Sequence, residues 1–127
     1  MAFLDMDLTD QVSGKHELWY IQKTVNLSSL VYRLKDLERE VGRHGYGVDV
    51  GLKCMFLQFL YDKSDRQLEQ ELRFNIAYKW FCGFTAFDRT PDHSFFGRFR
   101  EKIGTKRIGK IFKAIVKKGK RSINYIL

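Results

Sequence analysis

Residues 49–61 constrain this chain more than any other stretch. Leu52, Cys54, Met55, Phe56, Leu57, Phe59 and Leu60 leave the segment apolar on nearly every side. A surface helix needs only one apolar stripe, so a segment apolar all round has to be enclosed by its neighbours. The pattern therefore predicts a central, most buried helix from about Asp49 to Tyr61. Cys54 within it reads as a small packing residue rather than a reactive thiol.

The elements available to enclose it are helical too. Asn26 can cap a helix whose Leu27, Leu30, Val31, Leu34, Leu37 and Val41 follow helical spacing, and Gly42 can end it. That stripe is most simply core-facing, although it could also support a dimer. A glycine-rich turn follows over Gly42–Gly47. Ser64 with Gln67 three residues on is a capping-box signature for the next helix. Leu68, Leu72, Ile76 and Trp80 share one stripe there, widened by Ala77 and Phe81, with Gly83 as terminator. The pattern fits one helix to Cys82 or two broken near Asn75. Phe84–Pro91 reads as a loop. Asp92 can cap a helix with Phe95, Phe96, Phe99 and Ile103 on one face, and Gly104 interrupts it. A last amphipathic stretch sets Ile108, Ile111, Phe112 and Ile115 against Lys106, Arg107, Lys110, Lys113, Lys117 and Lys118. Residues through about Thr24 show no clear pattern. Nothing alternates as a strand would, so the expected class is all-α, with residues 1–127 as one small helical domain.

Charge is concentrated at one end. Residues 98–127 carry eleven basic side chains against the lone Glu101, while the 97 residues before them sum to −2. Such a segment predicts a polyanionic partner, usually nucleic acid; a solvated lysine-rich tail or an anionic membrane surface are the alternatives. No apolar run is long enough to span a membrane, and the opening MAFLDMDLTD is acidic where a secretory leader is basic. A cytoplasmic, membrane-free protein is expected. Cys54 and Cys82 are its two cysteines, too few for a disulfide scaffold or a cysteine-rich zinc module.

Catalysis finds little support in the residue pattern. Asp49, Asp62, Asp65, Asp88 and Asp92 fall mostly at turns or helix starts, where capping accounts for them. His16, His44 and His93 lack metal-ligand spacing, and no phosphate-binding loop, dinucleotide fingerprint or nucleophile elbow occurs. No metal, cofactor or catalytic residue is expected. DNA binding fits better. Ser64–Leu72 followed by Ile76–Cys82 or Asp92–Ile103 resembles part of a helix-turn-helix. Of the two possible reading helices, Ile76–Cys82 has only Tyr78 and Lys79 to spare. Asp92–Ile103 offers His93, Ser94, Arg98 and Arg100 outside its phenylalanine face and is preferred. Arginines there can reach guanine edges, while Lys102, Lys106, Arg107, Lys110 and Lys113 can neutralise phosphates. His93 and Ser94 also have structural readings, packing against Trp80 and capping the helix.

Three ordered motifs narrow the family. LQFLYDKSDRQLEQEL at 57–72, NIAYKWFCG at 75–83 and TPDHSFFGRFREKIG at 90–104 resemble the N-terminal domain of bacterial insertion-sequence-five-type (InsH-like) transposases. The likeness is closest over residues 46–104, leaving a basic extension at 105–127. It implies a helical domain that recognises the terminal inverted repeats of its element in double-stranded DNA. It also implies that the family's metal-binding Asp, Asp and Glu belong to a ribonuclease-H-like core absent from these 127 residues, as in a truncated transposase. A second possibility is a non-catalytic module that forms a homodimer or pairs with a full-length transposase and inhibits it.

Overall fold

The computed structural model describes residues 17–24, 27–39, 45–111, 113, 114 and 117. Among them every regular element is helical: α1 (Glu17–Thr24), α2 (Ser28–Arg33), a 3₁₀ turn (Lys35–Leu37), α3 (Val48–Tyr61), α4 (Asp65–Phe74), α5 (Ile76–Phe81) and α6 (His93–Ile103). Helical backbone resumes over residues 105–111 and is present at 113, 114 and 117. The all-α expectation holds. So does the central helix: Val48, Leu52, Cys54, Met55, Phe56 and Leu57 of α3 are all buried. α3 packs against α2, α4 and α6, while α1 covers α5. Gly51 allows the approach of α6. A Cβ there would lie 2.3 Å from Cε1 of Phe99, so α6 can seat its ring against α3 only over a glycine.

Local chemistry sets the boundaries. α3 ends where Asp62 turns left-handed (φ 52°) and Gln58 O accepts the Lys63 N–H. Ser64 then starts α4 with a full capping box: its Oγ accepts the Gln67 N–H, and Gln67 Oε1 accepts the Ser64 N–H. The question left open near Asn75 resolves as two helices. Asn75 is extended (ψ 114°), its N–H still closes α4 on Glu71 O, and its Oδ1 caps α5 by accepting from Ala77 and Tyr78. That step rotates α5 out of the α4 register. Leu68 and Leu72 stay buried, but Ile76, expected on their stripe, is 45% exposed. α5 closes with paired bonds from Gly83 N to Trp80 O and Phe84 N to Lys79 O, with Gly83 at φ 85°.

Two expectations change near the N-terminus. The helix predicted from Leu27 to Val41 is broken at Leu34, where α2 gives way to the 3₁₀ turn. Tightening to three residues per turn brings Leu37 beneath Leu34, so both contact the core despite the break. Leu27, Leu30 and Leu34 are buried, which spends on the core the stripe considered for a dimer. Asn26, Val41 and Gly42 lie outside the described residues. Conversely, the stretch without a pattern contains α1, anchored by buried Leu18 and Ile21 and by Tyr61 Oη donating to Glu17 Oε1 at 2.6 Å. Burial, with Glu17 beside it, pushes the Tyr61 phenol well above its ordinary pKa.

Candidate nucleic-acid interface

The α6 helix begins as its sequence indicates. Asp92 Oδ1 accepts from the backbone N–H of Ser94 and Phe95, and Phe95, Phe96, Phe99 and Ile103 are buried beneath the helix. The hydrogen bond from the Ser94 hydroxyl, followed by those backbone bonds, holds the Asp92 carboxyl below its usual pKa. α6 lies along α4, and the residues assigned to the groove divide according to what α4 offers them.

His93 and Arg100 are drawn inward. Glu69 Oε1 on α4 accepts the His93 backbone N–H at 2.7 Å and lies 2.9 Å from its Nδ1. The ring thus meets a carboxylate, a partner the sequence reading did not foresee. Arg100 presents its guanidinium edge to Asp65, with Nη1 donating to Oδ1 at 2.9 Å and Nη2 to Oδ2 at 2.7 Å. Gln58 completes the cluster, donating from Nε2 to Asp65 Oδ1 and to Lys63 O. The Arg100 bond is the main reason the Asp65 carboxyl sits below its ordinary pKa. That planar fork is the geometry a guanine edge would need. Arg100, expected to read bases, therefore clamps α6 to the start of α4.

Ser94 and Arg98 face the other way. Arg98 is exposed and donates from Nη1 to Ser94 Oγ at 3.0 Å. Ser94 lies two residues past the cap, Asp92, rather than being the cap itself. Arg98 also lines an open cleft of about 820 Å³ between α4, α5, the 83–92 loop and α6. Lys102, Lys106, Lys110 and Lys113 are exposed, and Arg107 pairs with Asp36 at 3.0 Å. Lys106, Lys110, Lys113 and Lys117 follow at steps of four, three and four residues. At 3.6 residues per turn they share a face about 60° wide, opposite Ile108 and buried Ile111.

The cleft also holds residues that sequence reasoning missed: Arg73 and Arg89 stand in its wall with Tyr46, beside Lys79, which the sequence offers only on the less favoured reading helix. Tyr46 had been read only as part of a glycine-rich turn. Its ring packs edge-on against Phe84 and Phe95, and its hydroxyl donates to Arg89 O at 3.1 Å. No sequence signal links residue 46 to residue 89. On the α5 side, Tyr78 is buried and stacked on Tyr61, while Lys79 Nζ donates to Ala86 O. Both side chains that α5 had to spare are thus engaged within the chain.

A comparison with protein families matches residues 6–102 to the Transposase domain (DUF772). The chain belongs to that family. No curated protein and no solved structure gives a match. The matched span of the transposase domain takes in α1 through most of α6, and so the cleft with Arg73, Lys79, Arg89 and Arg98. Lys106, Arg107, Lys110 and Lys113 follow it. Among the described residues, no three His, Cys, Asp or Glu side chains cluster as metal ligands would, and no helix is long and apolar enough to cross a membrane.

Proposed function

We propose that this transposase domain binds double-stranded DNA at the terminal inverted repeats of its element and does not itself cleave the strand. The observation that carries the reading is the lysine face of residues 105–117, held outward by Ile108 and Ile111 on the opposite side. A row of exposed ammonium groups along one helix face tracks phosphates and displaces their counterions. Arg98, exposed on the half of α6 not bonded to α4, supplies the base-reading side chain. The carboxylates near it support a recognition role, since Asp65 and Asp92 are engaged by Arg100 and by the α6 backbone.

Salt titration of the full chain with an inverted-repeat duplex and a scrambled duplex tests this. Affinity should fall steeply with salt on both and be higher on the repeat at every salt concentration. Absence of binding to either at low salt would reject the reading. Arg98→Ala should cost about 1–3 kcal/mol on the repeat and little on the scrambled duplex, whereas Lys113→Ala should weaken both alike. Equal effects of the two substitutions would remove α6 as the reading helix.

A further inference from the structure

A second basic surface lies apart from the lysine face and is built differently. The cleft between α4, α5, the 83–92 loop and α6 brings four cations, Arg73, Lys79, Arg89 and Arg98, together with two carboxylates, Asp88 and Asp92. Both carboxylates already serve the backbone: Asp88 Oδ2 accepts the Thr85 N–H at 2.7 Å, and Asp92 caps α6. The walls are fixed at three points. Tyr46 Oη holds the loop through Arg89 O, Lys79 Nζ holds it through Ala86 O, and Gly83 turns the chain out of α5. Arg73 sits across from that loop on α4, with Glu69 no nearer than 3.8 Å. Part of the cleft is lined by Phe95, an apolar surface beside which an ion pair is less screened than in open water.

We infer that this cleft is a seat for a phosphate group of the bound DNA, with Arg73 and Arg89 as its chief ligands. The inference rests on the DNA-binding reading and adds a site to it. Four cations against two committed carboxylates leave the seat net positive, and guanidinium groups from two sides suit the several oxygens of one phosphate. An opening of about 820 Å³ admits a length of sugar-phosphate backbone as readily as a phosphorylated strand end. Those two sources share one chemistry.

The test uses the full chain and two duplexes of one sequence, with either a 5′-phosphate or a 5′-hydroxyl. Arg73→Gln/Arg89→Gln should keep the wild-type melting temperature, because both side chains are exposed. It should make the plot of log affinity against log salt shallower by about 0.9, the value for one phosphate no longer neutralised. Arg73→Lys/Arg89→Lys should restore most of the slope. If wild type prefers the 5′-phosphate and the Gln variant loses that preference, the seat takes a strand end. If both duplexes bind alike and the Gln variant still loses slope, it takes an internal phosphodiester. A Gln variant with wild-type affinity and slope on both overturns the seat while leaving the DNA-binding reading intact. Wild type that binds neither duplex overturns both.

Discussion

The cleft and the lysine face each gather four cations and are organised on opposite principles. In the cleft, nearly every element is pinned by a hydrogen bond of its own: Tyr46 to Arg89 O, Lys79 to Ala86 O, Asp88 to the Thr85 N–H and Asp92 to the start of α6. Among the described residues the lysine face has no comparable frame. Its helix is seated by Ile108 and Ile111, and its one described ion pair to another element is Arg107 with Asp36. Pinned cations can demand a particular geometry of what they bind. Flexible ammonium groups ask only for negative charge, so they raise affinity without selecting sequence. The matched transposase-domain span contains the cleft and stops before the lysine face. The two should therefore separate experimentally, with Arg98 governing sequence preference, the cleft fixing the position of a phosphate and the lysines governing strength.

The largest effect is expected on the lysine side. Lys106→Gln/Lys110→Gln/Lys113→Gln should weaken DNA binding on the order of a hundredfold at low salt and flatten the salt dependence by about 2.7. The loss should be the same for repeat and scrambled duplexes, with the melting temperature unchanged because the side chains are exposed. A loss confined to the repeat would break the comparison, since it would give the lysine face a role in selection.

The next effect falls on the frame behind the cleft. Gly51→Ala drives a methyl group into the Phe99 ring, with the nearest ring atoms at 2.3–2.5 Å, and α6 has to lift from α3. Overpacking of that kind costs about 1–3 kcal/mol, which outweighs the gain in helix propensity. Gly97→Ala is the control on the same pair of helices. A Cβ there meets nothing nearer than Arg100 Nη2 at 4.0 Å, so the substitution should stabilise by about 0.5–1 kcal/mol. Opposite shifts in denaturant midpoint would sharpen the picture of α6 as a rigid wall. Two shifts of the same sign would contradict it.

How much of this the residues disclose depends on the range of the interactions. Short-range chemistry is legible: the Ser64–Gln67 box, the Asp92 cap, the Gly83 terminator and the buried phenylalanine face of α6 follow from side chains within a few positions of one another. The all-round apolar segment likewise announces α3. What stays hidden joins distant positions. Tyr46 meets Arg89 across 43 residues, Asp65 meets Arg100 across 35, and Glu69 meets His93 across 24. Arg100 shows the cost most clearly. On a helical wheel Arg98 and Arg100 both lie outside the phenylalanine face, about 160° apart on its two flanks, and only the position of α4 decides which is paired and which is left exposed. The break at Asn75 was visible as an option but not as an outcome, because two competing sets of hydrogen bonds share that residue.

Arg100 also supplies an effect that separates frame from contact. If it is a clamp, Arg100→Met should lower stability by about 1–2 kcal/mol, a half-exposed charge-assisted pair being worth less than a buried one. The slope of DNA affinity against salt should stay at its wild-type value. If Arg100 instead touched a phosphate, the slope would fall by about 0.9. Acid titration gives the independent measure. Arg100 holds the folded Asp65 carboxyl below its ordinary pKa, so in the unfolded chain that group binds protons more readily. The stability this contributes is fully present above the unfolded value of about 3.9 and is lost as pH falls through the lower folded value. Wild type should accordingly hold its stability from neutral pH to about 5 and lose it below about 4, and Asp92 and Glu69, depressed likewise, steepen that loss. Arg100→Met should start lower at neutral pH and fall less steeply in acid, because its Asp65 has less depression to lose. Parallel acid limbs for the two proteins would mean that Asp65 owes its low pKa to something other than the clamp.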